Sequence, residues 1–171
     1  MRKNAILMTA LAAIMTLGGS QIAVAGENSF GLRIGFNTRN TVPVAGLWFR
    51  HSFNSHFRLS PSADYHFRNN NTDALALNCN AQFPFALGQS RFQVYPFAGI
   101  NYTSWNIHRN KDIEQRSADD VTTRFNRFGI NVGAGVEYRV SPTMVLTLEA
   151  KTTLIKSYSS GCFTLGIGYC F

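Results

Sequence analysis

From Ser29 to Phe171 the chain repeats one pattern eight times: apolar residues alternate with polar or small ones, and turn-like segments separate the runs. A period of two puts successive side chains on opposite faces of an extended strand, so each run has one apolar and one polar face. The first run sets Phe30, Leu32, Ile34 and Phe36 against Gly31, Arg33, Gly35 and Asn37. The third sets Phe57, Leu59, Ala63, Tyr65 and Phe67 against Arg58, Ser60, Ser62, Asp64, His66 and Arg68. The sixth and eighth alternate as cleanly, from Phe128 to Tyr138 and from Phe163 to Phe171. The second, about Val44 to Phe53, is the least clear, because Trp48 falls opposite Ala45, Leu47 and Phe49. Eight is an even number and enough for closure, so the predicted fold is all-β, an eight-stranded antiparallel up-and-down transmembrane β-barrel.

The connections give the barrel two unlike rims. Asn54-Ser55-His56, Leu87-Gly88-Gln89-Ser90 and Ser141-Pro142-Thr143 are short and rich in turn formers. They alternate with Thr38 to Pro43, Asn69 to Asp73, Asn106 to Thr123 and Lys156 to Gly161. Short turns on one rim and longer loops on the other is the asymmetry of periplasmic and extracellular ends. Both ends of the strand series then fall on the short-turn rim.

A water-soluble barrel also alternates, so periodicity alone does not choose the solvent. The placement of aromatics does. On the apolar face Phe30, Phe53, Phe57, Phe83, Phe92, Tyr138 and Phe171 fall at one rim, and Phe36, Phe67, Tyr102, Phe128 and Phe163 at the other. Between them lie mainly Leu, Ile, Val and Ala, with Phe49 an exception. Two aromatic girdles around an aliphatic band match a bilayer with its two interfaces. The opposite face mixes Gly and Ser with Arg, Glu, Asp and Asn, which weakens a solvent-facing surface but makes room inside a narrow lumen.

The first 25 residues read as something else. Arg2 and Lys3 form a positive start, Ala5 to Leu17 carry no charge, and Ala23-Val24-Ala25 offers small residues for a signal peptidase. Residues 1–25 are therefore expected to be a cleaved signal peptide, with residues 26–171 as the outer-membrane barrel domain. The apolar run is too short to span a bilayer as a helix. Without Arg2 and Lys3, 14 basic residues face 9 acidic ones. No basic stripe with interleaved aromatics is present, so no nucleic-acid partner is expected. Anionic lipid and lipopolysaccharide headgroups suit scattered Lys and Arg better. Cys162 and Cys170 lie in one strand, roughly 27 Å apart at the usual rise, which is too far for a disulfide. With Cys79 they are expected as free thiols packed like small hydrophobes. Neither Cys-x-x-Cys nor paired His spacing occurs, so no metal or other cofactor is expected.

The ending Gly166-Ile167-Gly168-Tyr169-Cys170-Phe171 has the form Gly-x-x-aromatic-x-aromatic. It resembles the terminal-strand signal by which barrel assembly machinery recognises bacterial outer-membrane barrels, which implies that role for Gly166, Tyr169 and Phe171. Tyr95-Pro96-Phe97-Ala98-Gly99 and Gly133-Ala134-Gly135-Val136-Glu137-Tyr138 are similar to recurrent strand phrases of the small eight-stranded outer-membrane barrels. Over residues 28 to 171 the chain resembles that family, of the OmpA transmembrane-domain and OmpX type. The resemblance implies localisation in the bacterial outer membrane. It leaves open a structural protein, an adhesin, a small channel or, in a few members, a lipid-modifying enzyme.

Arg33, Asp64, His66, Glu137, Arg139, Glu149 and Lys151 all fall on the polar face. Unpaired charge in a narrow lumen is costly, so opposite signs are expected to meet in a hydrogen-bonded polar plug. Eight strands leave a lumen just wide enough for side chains to fill, which favours a plug over an ion path. Catalysis fits poorly: His51-Ser52 and His56 fall near the short-turn rim without an acid neighbour, and His66 with Asp64 has only Ser62 beside it. The segment 106–123 carries His108, Arg109, Lys111, Asp112, Glu114, Arg116, Asp119 and Asp120. It reads either as a binding loop for a host or surface ligand or as a solvated mobile loop. The expected function is therefore a non-enzymatic outer-membrane protein with a structural or adhesin-like surface-interaction role. A narrow channel for ions or small hydrophobic molecules is the alternative.

Overall fold

A computed structural model describes residues 27–39, 41–69, 71–88, 91–108, 122–155 and 159–171. The expected signal peptide and its cleavage site lie outside the described residues. The strands are β1 (Asn28–Asn37), β2 (Val42–Asn54), β3 (Phe57–Asn69), β4 (Thr72–Gln82), β5 (Phe85–Ala86), β6 (Phe92–His108), β7 (Thr122–Ser141), β8 (Met144–Leu154) and β9 (Ser160–Cys170). The two-residue β5 continues β4 along the same neighbour, since both pair with β6. The break between them contains Pro84, which has no N–H to give to a ladder.

The nine strands thus form eight staves. Each pairs antiparallel with the next, β4 pairs with β6, and β1 pairs with β9, so the sheet closes on itself. Closure removes the edges that an open sheet exposes. Burial is inverted relative to a soluble domain. On the outer face Leu32, Ile34, Leu148 and Leu165 are each more than half exposed, while inside Arg33, Arg50, Asp64, Glu137 and Glu149 are buried. That is the arrangement a bilayer requires: apolar side chains meet acyl chains, and the polar ones satisfy each other within.

The aromatic girdles are built from neighbours across strands. At the short-turn rim Phe53, Phe57 and Phe83 follow one another at ring-centroid distances of 5.6 and 5.7 Å, and Phe92 meets Tyr138 at 4.6 Å. At the other rim Phe36 meets Phe163 at 5.5 Å and Tyr102 meets Phe128 at 5.0 Å. Inside, large aromatics stand against glycines. Trp48 is the direct cross-strand partner of Gly31, Tyr95 of Gly135, and Phe97 of Gly133. A Cβ at Gly31 or Gly168 would overlap the Trp48 indole. Trp48 is therefore a lumen residue, which removes the ambiguity of the second run.

The connections differ from the sequence reading. β3 runs to Asn69 and β4 starts at Thr72, leaving two residues where a longer loop is expected; Asn71 takes a left-handed φ of 59°, which Asn tolerates. β6 runs to His108 and β7 begins at Thr122, so both ends of the expected 106–123 loop are strand. Cross-strand pairing is preserved out to His108 and Thr122. Polar composition conceals a strand where it rises beyond the lipid and both faces meet water.

Candidate functional site

Seven side chains fill the lumen as a single file of alternating charge. At the outer end Lys151 Nζ donates to Asp64 Oδ2 at 3.1 Å. Arg33 grips the same carboxylate through Nε and Nη2, at 2.7 and 2.8 Å. Its Nη1 reaches Glu149 at 2.8 Å. Arg50 then bridges Glu149 and Glu137, each at 2.8 Å, and Arg58 closes on Glu137 at 2.9 Å. Tyr95 lies beside this file, accepting from Arg50 Nη2 and donating to Glu149 Oε1, both at 2.9 Å. These charges come from β1, β2, β3, β7 and β8, so only a closed barrel brings them together.

The file explains how so much charge sits out of water. A buried ion is expensive unless opposite charge and hydrogen bonds surround it, and each internal member here has an opposite charge on both sides. Bidentate guanidinium–carboxylate geometry at Arg33 adds direction to the attraction. Ring faces supply the rest: the Arg50 guanidinium lies 4.1 Å from the Trp48 ring centre and that of Arg58 4.4 Å from the Tyr95 ring centre. Arg50 Nε and Arg58 Nη2 have no hydrogen-bond acceptor among the described residues.

Above the file, on the side of the longer connections, lies a cavity of about 110 Å³ lined by His66, Asn101, Thr103, Lys151, Thr153 and Cys162 among others. Lys151 forms part of its floor, and behind it the pair with Asp64 begins the file that occupies the lumen.

Of the sequence-predicted interior residues, the structure joins Arg33, Asp64, Glu137, Glu149 and Lys151. His66 stands apart on the cavity wall. Arg139 is also separate: it makes a two-pronged pair with Glu27, at 2.7 and 2.9 Å, at the short-turn rim. Arg50, Arg58 and Tyr95 complete the network without being among the sequence-predicted interior residues, although Arg58 falls on the polar face of the third run. Arg50 shares a face with Trp48, two residues earlier, and recognising Trp48 as interior would have found it. Arg58 starts a strand at the rim, but its long side chain reaches inward to Glu137.

Other expected features are placed as follows. His51 bonds Asn28 at 2.8 Å, His56 bonds Ser55 at 2.8 Å, and Ser62 Oγ accepts from Arg33 at 2.8 Å. Among the described residues no carboxylate hydrogen-bonds any of these histidines or His66, and no cluster of three or more His, Cys, Asp or Glu is placed to hold a metal ion. Cys79, Cys162 and Cys170 are free thiols. Tyr169 and Phe171 are exposed on the outer face and stack at 6.3 Å, whereas Gly166 lies on the lumen side.

The family model described as outer membrane protein beta-barrel domain matches residues 9–171. The chain belongs to this family. This outer-membrane barrel is accordingly a protein of the bacterial outer membrane, a class in which short turns lie at the periplasmic rim. The N-terminal β-barrel domain of Pseudomonas aeruginosa OprF superposes with a TM-score of 0.69 at 14% identity, over 86% of this chain and 98% of that one. Neisserial surface protein A gives 0.67 at 12% identity, over 85% and 97%. Ail, the attachment invasion locus protein of Yersinia pestis, gives 0.60 at 17% identity, over 86% and 100%. At such identities the likeness is one of fold. Among curated proteins no sequence matches this outer-membrane barrel.

Proposed function

We propose that this protein is a closed, non-enzymatic outer-membrane barrel with a structural or adhesin-like role at the cell surface, and that its lumen does not conduct. The carrying observation is the seven-membered charge file, whose members from Arg58 to Lys151 are buried and paired in series. Moving an ion past it means separating several such pairs in a lumen that eight strands leave no wider than its side chains. What remains available for recognition is the outer rim, with lipopolysaccharide headgroups beside it and with residues 109–121, which lie outside the described residues, connecting the outer ends of β6 and β7. Ail, of similar fold, has been solved in complex with the heparin analogue sucrose octasulfate, which supports a surface-binding role. Tyr169 and Phe171, exposed at the end of the last strand on the short-turn rim, suit recognition by barrel assembly machinery, while Gly166 packs on the lumen side against Thr147 and Trp48.

Planar-bilayer recording tests the closed lumen: silence is expected, and steady discrete openings would establish a channel instead. Deleting residues 109–121 tests the surface role. Loss of cell adhesion or serum resistance with folding intact is expected, and unchanged adhesion would remove the loop from the account.

A further inference from the structure

We propose that the outer cavity is a binding site for a single hydroxylated carboxylate of sugar-acid size. The argument begins with charge. The file contains Lys151, Arg33, Arg50 and Arg58 against Asp64, Glu149 and Glu137, so it begins and ends on a cation and carries one positive charge in excess. Its outer terminus, Lys151, is buried yet lines the cavity. An ammonium group has three N–H donors. Two of them go to Asp64 Oδ2 at 3.1 Å and Asn78 Oδ1 at 3.4 Å, which leaves one. Asp73, the acid on the same wall, is already held by Asn106 at 3.0 Å and lies 3.9 Å from Arg68, so it does not neutralise Lys151. An anion is wanted at this floor.

The walls ask for something different. Thr103 Oγ1 gives its hydrogen to Asn101 Oδ1 at 2.7 Å, and Thr153 Oγ1 gives its hydrogen to Asn131 Oδ1 at 2.9 Å. Both oxygens therefore face a ligand only as acceptors. The His66 ring makes no hydrogen bond among the described residues and offers one donor and one acceptor in its neutral form. A bare anion satisfies Lys151 but has no hydrogen for Thr103 and Thr153. A neutral polyol satisfies the threonines but leaves the charge. A carboxylate carrying hydroxyls does both, and Trp105 among the lining residues provides an aromatic side chain beside a sugar ring. Size agrees: at ~10–15 Å³ of cavity per water, the space holds roughly seven to eleven waters, or one monosaccharide.

The site needs a closed floor but not the adhesive role, and the two readings fail separately. The test is titration calorimetry of the full mature protein in micelles, with sodium D-glucuronate as the probe and D-glucose and acetate as controls. One-to-one glucuronate binding is expected, with glucose and acetate weaker by about tenfold or more, as expected when a charged hydrogen bond or a hydroxyl set is missing. Lys151→Met is expected to abolish it. Since that variant also strips a partner from Asp64, heat-modifiable migration must first show it folded. Thr153→Val, which leaves the charge file whole, is expected to weaken binding severalfold. No glucuronate binding, equal binding of glucose or of acetate, or wild-type affinity in folded Lys151→Met or in Thr153→Val would each overturn the proposal. Bilayer recordings on the same samples report on the closed lumen independently.

Discussion

Arg33 and Asp64 meet across a missing side chain. They belong to β1 and β3, which are not neighbours, and the residue registered with both, on the intervening β2, is Gly46. A Cβ at Gly46 would overlap Asp64 Oδ1, so the two-pronged ion pair occupies the room that the glycine leaves. This link of the lumen file therefore depends on a residue that carries no charge.

Gly46→Val is expected to push Asp64 away from Arg33 and to destabilise the barrel by about 3–5 kcal/mol, the range for a buried pair that loses one partner. The urea midpoint of the heat-modifiable band on a gel measures it. Combined with Asp64→Asn, the two losses should add to less than their sum, since both break one contact. A wild-type midpoint for Gly46→Val would show that the pair does not depend on this vacancy.

Glu149 accepts from Arg33, Arg50 and Tyr95. Glu149→Ala leaves two guanidiniums facing each other without an anion and should cost about 3–5 kcal/mol. Glu149→Gln keeps an acceptor oxygen and should cost less. Wild-type protein is expected to be silent in planar bilayers, and current through Glu149→Ala alone would identify the file as the seal. Equal melting of the two variants would contradict the charge argument.

Trp48 rests over Gly31 and Gly168, beside Val145 and Cys170. Gly168→Val forces the indole out of that seat, an overpacking effect of about 1–3 kcal/mol. The chain has two tryptophans, so a Trp105→Phe background isolates Trp48. Its fluorescence should shift to the red in Gly168→Val. An unmoved emission maximum would place the ring elsewhere.

Leu165 lies in the aliphatic band, between Ile34 and Leu148. Leu165→Arg should destabilise by about 2–4 kcal/mol if it meets the bilayer midplane, and Tyr169→Arg, near the interface, by clearly less. Folding into vesicles at graded urea concentrations compares them, and equal losses would argue against the depth assigned here.

Glu27 pairs with Arg139 at the short-turn rim, where both side chains are partly exposed. Water screens such a pair, so Glu27→Gln should cost only about 1 kcal/mol or less. The deficit relative to wild type should shrink as salt is raised. A loss as large as that of Glu149→Ala would make this clasp part of the lumen network.

The sequence by itself determined the barrel. Alternation fixes which residues share a face, girdle aromatics flank Leu32, Ile34, Leu165 and Ile167, and eight runs with short turns between alternate pairs leave few ways to connect them. It also put Arg33, Asp64, Glu137, Glu149 and Lys151 on one face, because a period of two is local information. Tertiary structure alone decided which of those charges touch. Asp64 and Arg33 are 31 residues apart and Arg33 and Glu149 are 116 apart, and their meeting depends on barrel closure, strand stagger and the space left at Gly46. It also drew Arg50 and Arg58 into the file and sent Arg139 to Glu27 instead. Periodicity reports the face of each residue, but side-chain reach and the register between distant strands determine its partner.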